Sequence, residues 1–233
     1  MLNHIPPTPY IIATAIVIFF GIGLHEYAHC KFADMAGDPT ARIQGRVTLN
    51  LFKHFEPVGT LMIILSSLSG YGIGWGKPAP LNPARMRNPR VDTFVAVIAG
   101  PICNLLQAAV WAVIFRFALG SVYVPADASI FDWPFPIVLP FLGVMINVAL
   151  AIFNLTPLGI LDGHWLVGLA LPPKQRDKWF WWQHRYGMMV LIVFVIFSQT
   201  PLAGQMPYLD LFGHYIFPIA MKLTSALTGL PIS

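Results

Sequence analysis

The first apolar run of this chain has ionisable side chains built into it, and that combination restricts the fold more than any other feature. Pro9 to Leu24 is dominated by Ile, Val, Ala and Phe, and the run continues through His25-Glu26-Tyr27-Ala28-His29 to about Phe32. As a helix rising 1.5 Å per residue it spans a bilayer core of roughly 30 Å. Ionisable groups inside such a helix are costly and mark functional sites by default. His25 and His29 are four residues apart, so they leave one helix face about 40° apart and roughly one turn apart. Two imidazoles at that spacing can bind one zinc ion, and Glu26 between them is placed to act as general base toward water. The competing reading is a helix end solvated among lipid headgroups. The run has no basic leader and no small-residue cleavage site, so it reads as an uncleaved first membrane helix rather than a signal peptide. Pro6, Pro7 and Pro9 suit its entry turn.

Composition agrees with a membrane setting. Of 233 residues only 10% are charged and 56% are hydrophobic, whereas soluble domains carry about 25% charged residues. The expectation is an all-α polytopic membrane protein forming one domain over residues 1–233, in contact with the bilayer. The net charge of +4 is not a nucleic-acid signature, because the basic residues sit in short segments between apolar runs, as in cytoplasmic membrane loops. Cys30 and Cys103 lie in or beside apolar segments and form no disulfide framework; Cys30, next to His29, reads as a small buried thiol rather than a ligand.

Further spans are expected at Val91 to Leu119, Pro136 to Thr156 and, more briefly, Gly187 to Ala203, with a weaker one at Tyr208 to Leu230. Residues 41–49 alternate apolar and polar, which predicts short β-strands at the membrane surface. Such strands would be either a structural hairpin or an edge that holds an extended peptide. Lys174 to Arg185 is basic and aromatic and fits the membrane interface. Val58 to Trp75 is apolar but studded with glycine. The loops at 33–56, 76–90 and 172–185 carry Lys and Arg, while 120–133 carries neither. The positive-inside rule therefore favours a re-entrant Val58–Trp75, which leaves every basic loop on the cytoplasmic side. That topology also brings Asp162 to the face where His29 ends, making it the best-placed carboxylate for a third ligand. Asp34 and Glu56, in the first polar loop, are the alternatives.

His25-Glu26-Tyr27-Ala28-His29, Gly100-Pro101-Ile102-Cys103-Asn104 and Asn154-Leu155-Thr156-Pro157-Leu158-Gly159-Ile160-Leu161-Asp162-Gly163 follow in that order. Together they resemble the site-2 protease family, intramembrane zinc metallopeptidases that cut membrane-spanning helices. Gly76-Lys77-Pro78-Ala79-Pro80-Leu81-Asn82-Pro83 is similar to the smaller prokaryotic members. The resemblance covers roughly residues 10–170 and implies a three-helix catalytic core, with the helices of about 187–230 as additions. It implies one zinc held by His25, His29 and Asp162, with Glu26 activating water, and a site opening toward the cytoplasmic side of a prokaryotic membrane. It also places Asn154 near the scissile carbonyl and Asn104 on the middle core helix as possible substrate or oxyanion support. The implied partner is a transmembrane protein substrate. No PDZ-like or CBS-like module is present, so regulation falls to the membrane domain or to a membrane partner. The family's last motif usually has a second proline two residues after the first; here that position is Gly159.

Asn104 and Asn154 also have a plain reading as interhelical hydrogen-bonding groups. His54, His164, His184 and His214 read as interfacial or structural. The rival functional classes are a transporter or channel lined by buried His, Glu and Asp, and a catalytically dead scaffold.

Overall fold

The computed structural model describes residues 6–57, 59, 76–121 and 129–230. The protein is an all-α polytopic membrane protein, and among the described residues four helices are long and apolar enough to cross a bilayer. Helix α1 (Thr8–Met35) begins on Pro7 and Pro9, whose missing N–H groups cost nothing in a first turn. Its 28 residues make it about 42 Å long, with both histidines in its C-terminal half. Helix α2 (Pro89–Leu119) starts where Asp92 accepts a hydrogen bond from the Asn88 N–H at 2.7 Å, and stops at Gly120. Helix α3 (Phe135–Asn154) runs to the motif asparagine.

These three helices form the core. Ala13 and Val17 of α1, Phe115 of α2 and Ile137, Val138, Phe141 and Leu142 of α3 are buried together at one end. The outer face of α2 keeps Leu106, Val110, Val113 and Phe117 exposed, a lipid-facing pattern. The other end carries the polar connections. The Arg87 N–H donates to the Ala36 carbonyl at 3.1 Å. Arg90 Nε donates to the Leu169 carbonyl at 2.8 Å. The end of α1, the start of α2 and the segment after α3 therefore meet there.

A short helix α4 (Asp162–Ala170) follows the turn after α3. Helix α5 (Pro173–Trp182) then passes through a wide turn at Gln183–Gly187 into α6 (Met188–Ser198) without a break. The basic aromatic segment 174–185 is thus the first half of one apolar helix spanning Pro173–Ser198, and the expected span beginning at Gly187 is only its second half. Helix α7 (Phe217–Thr228), which continues from a wide turn at Leu211–Ile216, packs Ala220 and Leu227 against α2 and α3; it is not among the four helices long and apolar enough to cross a bilayer.

The expected strands at 41–49 are absent: no strand occurs among the described residues. Thr40–Ile43 is a helical turn held by the Asp38 carboxylate, which accepts from the Thr40 N–H at 3.0 Å. Gly45 is left-handed at φ +65°. The burial is inverted as well, with Arg46 buried and Ile43 and Leu49 exposed. Arg46 turns inward because its Nη2 donates to the Lys77 carbonyl at 2.6 Å. The segment Val58–Trp75, expected from sequence to be re-entrant, lies outside the described residues, apart from Gly59. Its described flanks meet, with the Lys77 N–H donating to the His54 carbonyl at 2.8 Å.

Candidate metal centre

The imidazoles of His25 and His29 leave α1 toward α2, and α2 has no side chain in their way. A Cβ on Gly100 would lie 2.4 Å from the His29 ring and 2.7 Å from the His25 ring, so only glycine allows this approach. Each imidazole is fixed at Nδ1. His25 Nδ1 donates to Asn104 Oδ1 at 2.7 Å, and His29 Nδ1 donates to the Ala96 carbonyl at 2.8 Å. The Asn104 amide is oriented by its own partners, because its Nδ2 donates to the Gly21 carbonyl at 3.0 Å and to Asn147 Oδ1 at 2.9 Å. Asn147 Nδ2 in turn donates to the Gly143 carbonyl at 2.9 Å. This chain of amides ties the three core helices together and assigns the His25 tautomer, with its proton on Nδ1.

With both Nδ1 atoms donating, both Nε2 lone pairs are left facing each other at 3.0 Å. Asp162, at the start of α4, completes the group: Oδ2 lies 3.3 Å from His25 Nε2 and Oδ1 lies 3.3 Å from His29 Nε2. Three ligand atoms within 4.8 Å of one another thus converge from α1 and α4. Asp162 Oδ2 and Glu26 Oε2 are buried without a hydrogen-bond partner among the described residues. Two facing imine nitrogens and an unpaired buried carboxylate oxygen fit a cation between them. Two nitrogens and one oxygen make a borderline donor set that suits zinc and leaves one position open.

Glu26 is one residue on from His25 and borders the same cavity, of about 150 Å³, with Ile22, Gly76, Pro78 and Leu150. The backbone at Gly76 packs so closely that a Cβ there would be 3.3 Å from Glu26 Cγ. Arg46 holds this wall in place by donating to the Lys77 and Pro78 carbonyls, and the His54 carbonyl accepts from the Lys77 N–H.

Asn154 borders the cavity, and its Nδ2 donates back to the Leu150 carbonyl at 3.0 Å. Asn104 also borders it but has its acceptor and both donors engaged. His164 points elsewhere: its Nδ1 donates to the Leu161 carbonyl at 2.6 Å, and burial lowers its pKa from the ordinary value. Asp34 pairs with Arg42 at 2.7 Å and is not in the group. Asn147, Gly100, Arg46 and Gln183 were not singled out from sequence as parts of the site. Two of them carried a signal in the sequence: Asn147 as a buried amide in an apolar helix, and Gly100 as the first residue of a motif.

No family model and no solved structure matches the chain. Among curated proteins it is 35% identical over 198 residues to "Putative zinc metalloprotease YwhC" of Bacillus subtilis (strain 168), covering 84% of this chain and 83% of that protein. It is 26% identical over 197 residues to "Putative zinc metalloprotease Rip2" of Mycolicibacterium smegmatis, covering 83% of this chain and 71% of that protein. With its ordered motifs folded around one candidate metal centre, the chain belongs to the site-2 protease-like family.

Proposed function

We propose that the protein is an intramembrane zinc endopeptidase that hydrolyses peptide bonds in or near transmembrane segments of other membrane proteins. The observation that carries this reading is the convergence of His25 Nε2, His29 Nε2 and an Asp162 carboxylate oxygen beside the unpaired Glu26 carboxylate, inside a bundle of membrane helices. His25, His29 and Asp162 hold the metal. Zinc, when bound, supplies Lewis acidity, polarising an oxygen ligand and lowering the pKa of water toward about 7. Glu26 takes the proton of the attacking water on its carboxylate and delivers it to the leaving amine. Asn104 keeps the His25 proton on Nδ1 and Nε2 free to ligate. Asn154, on the cavity wall, is assigned to the substrate carbonyl.

A hydrogen-bonded helix hides its carbonyls from attack. The substrate segment therefore unwinds before it is cut. The basic residues of the loops at this end, Lys53, Lys77, Arg85, Arg87 and Arg90 among them, orient the site toward the cytoplasm by the positive-inside rule. A pathway for ions is a poorer account, because it leaves the two facing imine nitrogens unexplained.

The test is Glu26→Gln in the full chain. Zinc content should stay at the wild-type level, while cleavage of a membrane-embedded model substrate falls by about 100-fold or more, the usual contribution of a general base. Unchanged cleavage would remove Glu26 from the mechanism.

A further inference from the structure

The ligands of the proposed centre arrive by different means. His25 and His29 sit on a long helix, whereas Asp162 follows an irregular turn, Leu155–Leu161, between α3 and α4. Within that turn Gly159 is left-handed at φ +62°. Its N–H donates to Gln183 Oε1 at 3.0 Å, and Gln183 Nε2 donates to the Pro157 carbonyl at 2.7 Å. One glutamine amide thus bridges two alternate residues of the turn. Its orientation is unambiguous, since the N–H can only donate and the carbonyl can only accept.

Gln183 is 4% exposed and stands at the wide turn between α5 and α6. The fit is tight: a Cβ on Gly187 would lie 2.3 Å from Gln183 Oε1 and 3.0 Å from the Gly159 nitrogen. The same helix grips the chain beyond Asp162, where Trp179 Nε1 donates to the His164 carbonyl at 2.8 Å. Phe180 covers Gly168 so closely that a Cβ there would meet its ring at 2.4 Å. Asp162 is therefore held from both sides by one helix.

The departure at Gly159 belongs to this arrangement. A proline has no N–H and its φ is locked near −65°, so it could neither adopt this conformation nor make this bond. Where the family's pattern stiffens the turn with a ring, this chain pins it with an amide from a neighbouring helix.

We propose that Gln183 is a positioning residue for the metal centre, and that helix Pro173–Ser198 is part of the catalytic core because it holds the turn that delivers Asp162. The proposal rests on His25, His29 and Asp162 being the zinc ligands. Partners that orient a ligand typically change metal affinity by about 10–100-fold when removed. The experiment loads the full chain with zinc in detergent and follows its transfer to a chromophoric chelator.

Gln183→Met keeps the length and volume of the side chain and removes both hydrogen bonds. It should weaken zinc retention by about 10-fold or more, while the zinc-free protein still folds, with an unfolding temperature lowered by the two stranded backbone groups. Gly187→Ala, which pushes the amide off the turn, should do the same. Met189→Ala, on the exposed face of the same helix, should retain zinc normally. Wild-type retention in both Gln183→Met and Gly187→Ala, with zinc lost in Asp162→Ala, would overturn the clamp and leave the ligand assignment standing. Zinc retained in Asp162→Ala would overturn the ligand assignment itself. Loss of the zinc-free fold in both Gln183→Met and Gly187→Ala would make Gln183 a support of the fold rather than of the metal, and would also overturn the proposal.

Discussion

Single hydrogen bonds decide what the site can do. The Asn104 oxygen accepts the hydrogen bond from His25 Nδ1–H, and Asn104 can offer that oxygen only because its two N–H groups are committed elsewhere. Asn104→Ala should therefore weaken zinc binding by about 10–100-fold. It should also lower thermal stability, since it strands buried partners on two helices at about 1–3 kcal/mol each. A zinc titration alongside a melting curve checks both. His54 obeys the same logic farther out. Its Nε2 faces the Thr48 carbonyl at 3.0 Å and its Nδ1 faces the Arg46 guanidinium at 3.5 Å, so the ring is neutral, donating at one nitrogen and accepting at the other. Burial, together with the Arg46 charge, pushes its pKa below the ordinary value. A depressed histidine stabilises the folded loop fully above about pH 6.5, and that contribution is lost as pH falls through the folded value. Limited proteolysis of the metal-free protein should show faster cleavage between residues 46 and 54 as pH drops from about 7.5 to about 5. A flat profile would mean the His54 contact does not hold the loop.

At the level of elements, the helices that carry the chemistry were plain in the sequence. Their apolar runs are uninterrupted, and polar residues inside them, such as His25, His29 and Asn104, are costly enough to signal a site. The loop at 41–49 was misread because alternation is evidence for a strand only where a partner strand can pair with it. Here Asp38 folds the start into a helical turn, and Arg46, nominally on the polar face, is drawn inward by carbonyls some 30 residues on. That attraction is not visible in local sequence. The helix Pro173–Ser198 was split in two for a related reason. The basic and aromatic side chains of 174–185 mark the first half as interfacial, while Gln183 and Gly187 serve a contact with the Pro157–Gly159 turn that local sequence does not show. Gly100 was legible as part of a motif but not as the place where two imidazoles lie on a helix backbone. Gly100→Ala should displace both rings, cost about 1–3 kcal/mol through overpacking, and abolish zinc binding. Equilibrium dialysis against zinc would show it, and normal binding would mean the rings have room that the structure denies them.

For the whole molecule, the argument joins topology to chemistry. The end of α1, the start of α2, and α4 lie together through the contacts of Arg87 and Arg90, while Tyr10 meets Phe131 at the opposite end, 4.9 Å between ring centroids. In a background without Cys30 and Cys103, Arg85→Cys and Lys174→Cys should be labelled by an impermeant thiol reagent from the cytoplasmic side, and Ser129→Cys from the other. Labelling of 85 and 129 from one side would break the arrangement that lets Asp162 reach the histidines. The central claim is that two imidazoles from the first helix and a carboxylate from the start of α4 bind one zinc. It is tested most directly by zinc-edge X-ray absorption on the purified full chain. The account predicts one zinc per chain with nitrogen and oxygen neighbours at about 2.0–2.2 Å, two of them imidazole, and loss of bound zinc in Asp162→Ala. A sulfur neighbour at about 2.3 Å, which would bring in Cys30 or Cys103, or an unchanged zinc environment in Asp162→Ala, would contradict it.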